Sequence, residues 1–346
     1  MVDGAAADRK RNWIMALGAD QGKAAAVADE ERSATADAEQ LGNGTRGRGL
    51  ALRGVRHGRP IMNAPVRHIF SVDVEEYFHA QALAEAAPPS RWPALESRVE
   101  ASTDRILDLL ARHGALGTFF VVGWVAERRP GLVRRIATAG HEVASHSHWH
   151  RQVFRLTPEE FRDDVRRSKH VLEDVVGAAV QGFRAPSFSI TPGTEWALDI
   201  LLEEGFTYDS SFFPIHRPNY GQPGVPATPH LVRRPAGVLL ELPMTVTEVA
   251  GVRVPAAGGA YLRQLPAALC HRAFREYGRR GVPAMFYVHP WEVDPGQPRL
   301  DVGLVSRLRH YRGLEGMLGR MEALLRAFPF TSVRAALDVP ALRAAA

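Results

Sequence analysis

The stretch His141-Glu-Val-Ala-Ser-His-Ser-His-Trp-His150 runs from a short apolar segment into a polar loop, with histidines at 146, 148 and 150. His146 and His150 are four residues apart, so a turn or helix brings their imidazoles to one ion. An extended strand would instead turn His146, His148 and His150 to one side, which also suits a metal. The chain has 14 histidines, and a lone pair at this spacing is weak evidence. Its meaning depends on what the neighbouring segments bring to it.

Those segments alternate. Upstream, residues 66–74 read as a buried strand whose end carries Asp73, Glu75 and Glu76. Residues 95–113 carry a helical apolar face, 117–122 a second strand, and 126–139 a second helix with Pro130 near its start. Downstream, Thr157-Pro-Glu-Glu160 opens a helix to about residue 176 as a capping box. Residues 180–183 form a strand that delivers Arg184-Ala-Pro186, and 193–204 form another helix. After a proline-rich connection at 212–235, strands are expected at 238–242, 244–249 and 284–288, the last ending at His289. Helices are expected at 265–278 and 304–328. In a parallel α/β fold the strand ends share one rim, so Asp73, Glu75, His146, His150, Arg184 and His289 would meet. A carboxylate with two histidines suits Zn²⁺ with a position open for water. A second carboxylate can take the water's proton, an arginine can keep that base ionised, and a separate histidine can protonate a leaving amine.

Composition adds bounds. The chain has 346 residues, 45% hydrophobic and 23% charged, as in ordinary globular proteins. Its net charge of +5 owes part of its excess to Arg46, Arg48, Arg53, Arg56 and Arg59, read as a solvated arm and not as a nucleic-acid-binding one. The single cysteine, Cys270, excludes an internal disulfide framework and is expected to be buried and inert. Residues 1–64 hold one aromatic, Trp13, and are expected to form a disordered extension, with Met62 an alternative start. Their apolar run, 13–19, is at the lower limit for a signal core and too short for a transmembrane segment, so a cytoplasmic location is expected.

Four motifs then fall into a known order: Ser71-Val-Asp-Val-Glu75, His146-Ser-His-Trp-His150, Arg184-Ala-Pro186 and Val288-His-Pro290. The set resembles the NodB-type polysaccharide deacetylases of carbohydrate esterase family 4, over about residues 66–335. The strings Asp-Val-Glu-Glu-Tyr-Phe, Arg-Ala-Pro-Ser-Phe-Ser, Tyr-Asp-Ser-Ser and His-Pro-Trp-Glu look more narrowly like the deacetylases of exosortase-linked exopolysaccharide loci. The resemblance implies a distorted seven-stranded (β/α) barrel at 65–335, including a C-terminal extension from about 206. It also implies one divalent metal, most simply Zn²⁺, and an acetylated glycan substrate, with association with a membrane-bound exopolysaccharide assembly system as a further expectation.

The resemblance assigns Asp73 as base, His289 as acid and Arg184 as partner of the base, with Glu75, His146 and His150 on the metal. The family's common form has two adjacent aspartates; here Val74 intervenes, and Asp73 as the ligand stays an alternative. Asp73 and Glu75 share one side of a strand, whereas Glu76 points away. His148 is placed outside the ligand set. Tyr77, Phe188 and Trp291 are read as sugar-stacking rings or core, and Asp209 as orienting His289 or capping a turn. The competing functions are a cyclic amide or ureide hydrolase on the same barrel and an inactive glycan-binding protein.

Overall fold

The computed structural model describes residues 66–217, 220–337 and 339, all in one compact unit spanning 62–346. The expectations for residues 1–64 lie outside them.

The strands are β1 (His68–Val74), β2 (Thr118–Val121), β3 (Glu142–Ser145), β4 (Gly182–Phe183), β5 (Tyr208–Asp209), β6 (His230–Arg234), β7 (Gly237–Glu241), β8 (Val246–Val249), β9 (Val252–Pro255), β10 (Met285–Val288) and β11 (Phe330–Thr331). Every residue of β1, β2 and β10 is buried, as the continuous apolar runs require of a sheet covered on both faces. The path β10-β1-β2-β3-β4-β5-β7 is parallel throughout. That path holds seven strands, but the sheet itself has nine, because β6 joins β7 antiparallel and β11 lies beside the start of β1.

Among the described residues no ladder joins the two ends of this path. The far edge of β10 is met instead by the segment around the β8–β9 hairpin. Tyr287 donates its N–H to the Ala257 carbonyl at 2.9 Å, and Met285 donates to Thr245 Oγ1 at 2.7 Å. The sheet is therefore mixed, and its described ladder is open. Strands β5, β7 and β10 all follow residue 206, so the C-terminal part completes the same sheet.

Two helices expected as single pieces are interrupted, and a third begins later than expected. Residues 126–139 fall into Gly123–Arg128 and Pro130–Thr138, because Pro130 lacks an N–H and restricts Arg129. Residues 265–278 begin only after Pro266, as Ala267–Arg279, with a separate turn at Gly259–Gln264. Residues 304–328 divide into Leu304–Tyr311 and Met317–Ala327 around Gly313, whose φ of 79° lies outside the right-handed helix region. The helix opened by Thr157 is continuous over Pro158–Val176. Its capping box is closed: Thr157 Oγ1 accepts from the Glu160 N–H at 3.2 Å, and the Thr157 N–H donates to Glu160 Oε2 at 2.9 Å. Cys270 is buried in Ala267–Arg279, and burial pushes its thiol up to about 12.

The register places the strand ends side by side: Val72 with Val288, Asp73 with Phe120, Val121 with Ser145, Ser145 with Phe183, and Phe183 with Asp209. Residues just beyond these positions share one rim.

Candidate active site

The histidine loop leaves β3 as a tight, doubly kinked turn. Ser147 and His150 have φ of 60° and 52°, in the left-handed region that side chains seldom adopt. Local bonds hold this conformation. The His150 N–H donates to Ser147 Oγ at 3.0 Å, and the carbonyls of Ser147 and His148 accept from the Gly123 and Trp124 N–H groups at 2.9 and 3.1 Å. Buried Asp164, from Pro158–Val176, accepts the His148 and Trp149 N–H groups at 2.5 and 3.2 Å. Left-handed non-glycine residues cost on the order of 1–3 kcal/mol each, and the surrounding bonds offset that cost. The result brings the His146 and His150 rings to 5.1 Å between centroids. It turns His148 the other way, fully buried against Gly123, where a Cβ would stand 2.5 Å from its Nδ1.

His146 Nδ1 lies 2.8 Å from the Arg184 carbonyl, so it carries the proton and donates, leaving Nε2 with a free lone pair. Burial lowers His146 to about 4 and keeps it neutral, as a ligand must be. His150 Nε2 stands 2.5 Å from Glu75 Oε2. One ligand atom from each of Glu75, His146 and His150 falls within 4.8 Å of the others. Glu75 Oε2 is buried, with this His150 nitrogen facing it. Burial alone would raise the Glu75 carboxyl; facing His150 and His289 outweigh it and hold the group below the ordinary carboxylate range. A carboxylate oxygen and two imidazole nitrogens converging in this way fit a divalent cation.

Asp73, on the same side of β1, is held differently. Its Oδ1 accepts from Arg184 Nη1 at 2.5 Å, and its Oδ2 lies 3.8 Å from His289 Nε2. Arg184 is fully buried at the end of β4. Its Nη1 also donates to Ser71 Oγ at 2.9 Å, its Nε to the Ser210 carbonyl at 3.1 Å and its Nη2 to Ser210 Oγ at 2.9 Å, while its carbon lies 4.0 Å from the Phe120 ring centroid. A guanidinium fixed at so many points fixes the carboxylate in turn.

His289 is the more accessible member, with its side chain 20% exposed. Its Nδ1 donates to Glu292 Oε2 at 2.9 Å, and Glu292 Oε1 accepts from Arg263 Nε at 2.7 Å. Burial would lower the imidazole, but Glu75, Glu292 and Asp73 together raise it to about 9. Burial would raise Glu292, but Arg263 and His289 hold it near 2. His289 therefore carries a proton at neutral pH, aimed by Nε2 toward the two working carboxylates.

These positions revise several expectations. Asp209 does not orient His289; its carboxylate accepts from Ser211 N–H and Ser211 Oγ at 3.2 and 2.6 Å and lies beside Glu241 in the β5–β7 register. The orienting carboxylate is Glu292, three residues after His289 and legible in His-Pro-Trp-Glu. None of the three proposed sugar platforms offers an open ring. Tyr77 is 1% exposed and packs on Phe78 in the core. Phe188, 8% exposed, packs on Phe213 and Tyr287. Trp291, 7% exposed, stacks with His289 and His310 and donates its indole N–H to Glu75 Oε1 at 2.9 Å. Rings beside buried polar groups serve here as walls and donors. Sequence reasoning also passed over His79, stacked 5.7 Å from His150, and Arg263 and Asp164, which sit in helices without a motif.

Asp164 yields a first test. Asp164→Ala leaves two loop N–H groups unpaired next to two ligands, and loss of such a supporting partner lowers metal affinity by about 10–100-fold. Titration of metal-free protein, followed calorimetrically, measures this; unchanged affinity would remove Asp164 from the account.

Parts of the sequence, and the fold, are similar to those of known proteins. Residues 93–206 match the polysaccharide deacetylase family model, and residues 210–338 match a domain of unknown function, DUF3473. The first match contains His146, His150 and Arg184; the second contains Arg263, His289 and Glu292. The stretch matched by the polysaccharide deacetylase model is about a third of the chain. It is 32% identical over 120 residues to a peptidoglycan-N-acetylglucosamine deacetylase of Bacillus cereus, covering 31% of this chain and 44% of that protein. It is 32% identical over 99 residues to a chitooligosaccharide deacetylase of a Bradyrhizobium species, covering 29% and 43%. The matches thus span less than half the length of these relatives. A solved structure from Mycobacterium smegmatis, provisionally described as a polysaccharide deacetylase, superposes with a TM-score of 0.56 at 20% identity, covering 82% of this chain and 94% of that one, which supports the fold.

Proposed function

We propose that the chain hydrolyses the N-acetyl amide of an N-acetylhexosamine-containing polysaccharide, an exopolysaccharide in our reading, with Zn²⁺ held by Glu75, His146 and His150. The observation that carries this is the placement of Asp73 between Arg184 and His289, next to a separate three-ligand cluster. A divalent cation supplies Lewis acidity, polarising a carbonyl and acidifying water. The chain's own residues do the rest. Asp73, oriented by Arg184, accepts the proton of the attacking water. As the C–N bond breaks, His289 gives its Nε2 proton to the departing amine, and Glu292 and Arg263 hold the ring in place. The products are acetate and a free amino sugar, and the proton taken by Asp73 balances the one lost by His289.

Relatives named for peptidoglycan and chitooligosaccharide deacetylation support the substrate class. Resemblance to the exosortase-linked branch is the ground for the exopolysaccharide and for association with its assembly system. The test is acetate release from N-acetylglucosamine oligomers and polymers. We expect release that a chelator abolishes and zinc restores. No release from any N-acetylated glycan by metal-loaded protein would refute the reading.

A further inference from the structure

Six large apolar side chains are exposed among the described residues, and three of them share one helix: Leu304 at 69%, Val305 at 76% and Leu308 at 51% on Leu304–Tyr311. A single exposed leucine is ordinary. At 100° per residue, however, these three occupy one arc of about 100°, with Arg307 on one flank and Arg309 on the other. Exposed Arg299 and Arg312 lie just before and just after the helix, and the acidic residue nearest in the chain, Asp301, stands 3.9 Å from Arg307. An apolar stripe bordered on both sides by arginine is the pattern of a helix lying in a lipid interface.

The opposite side of the helix is fastened to the site. His310 is buried there and stacks 4.2 Å from Trp291, while Tyr311, also buried, lies at the border of the stripe beside Leu304. Arg263 Nη1 donates to the carbonyls of His310 and Arg312 at 3.0 and 2.6 Å, while its Nε holds Glu292. The helix is thus rigidly tied to the group that orients His289.

We infer that Leu304–Tyr311 docks the chain on an anionic lipid surface. Leu304, Val305 and Leu308 enter the headgroup–acyl boundary, and Arg307 and Arg309 meet lipid phosphates. Docked in this way, the site rim is held beside the bilayer. This goes beyond the proposed reaction and does not depend on it.

The test is sedimentation of the full chain with vesicles of equal parts phosphatidylglycerol and phosphatidylcholine, against phosphatidylcholine alone. Binding is expected to the anionic vesicles only and to weaken in 0.5 M salt. Leu304→Ser/Val305→Ser/Leu308→Ser and Arg307→Glu/Arg309→Glu should each reduce it by at least about tenfold, since one cation at such a surface accounts for about fivefold. Thermal unfolding of both variants at the wild-type temperature shows that they fold. Absence of binding, equal binding to both vesicle types, or unaltered binding by the folded variants overturns the inference. So does a lipid-independent dimer that the serine variant dissolves, which would make a second copy the occupant.

Discussion

Asp73→Asn is expected to lower the rate of acetate release by about 10²–10⁴-fold, the range for loss of a positioned general base. Asparagine keeps the size of the side chain and still offers Oδ1 to Arg184, but it takes no proton. The substitution also removes the anion facing a guanidinium that is fully buried. Breaking a buried pair from one side costs about 3–5 kcal/mol, so a lower unfolding midpoint should accompany the loss of rate. Comparing KM with kcat separates the two effects: a base acts on kcat, whereas a collapsed site alters both. A variant with wild-type kcat would exclude Asp73 as the base.

The second large effect concerns Glu292. His289 is raised to about 9 from an ordinary value near 6.5. In the metal-free protein its protonated form, the proton donor, is therefore present through neutrality and lost as pH rises through about 9. The same sign governs stability: the contribution of the charged imidazole is complete below its unfolded value and disappears as pH climbs through the folded one. Glu292→Gln removes the carboxylate bonded to Nδ1, so the alkaline limb of the rate profile should move to lower pH. It also leaves Arg263 buried without its anion, at a cost of about 3–5 kcal/mol. An alkaline limb that stays in place in Glu292→Gln would show that Glu292 does not set the proton affinity of His289.

The site was legible where chemistry coincides with strand ends. Asp73, Glu75, His146, Arg184 and His289 each follow an apolar run, and parallel register brings such positions to one rim without further information. The ring platforms were misread for a physical reason: Tyr77, Phe188 and Trp291 lie next to polar motifs in sequence, but that adjacency does not distinguish a wall from a floor. Arg263 was invisible because its partner Glu292 is 29 residues away in the chain. Helix boundaries failed wherever one proline or glycine lay inside a good apolar period, as at Pro130, Pro266 and Gly313. The way the far edge of β10 is covered was also beyond reach, since backbone bonds at Ala257 and a threonine side chain leave no hydropathy pattern.

The division of labour between the two acidic residues of β1 is the centre of this account, and metal content tests it most directly. Asp73→Asn and Glu75→Ala, loaded with zinc and passed through a desalting column, would be measured by elemental analysis. The geometry predicts about one equivalent of zinc in inactive Asp73→Asn and none in Glu75→Ala. Zinc retained by Glu75→Ala and lost from Asp73→Asn would contradict it and exchange the two roles.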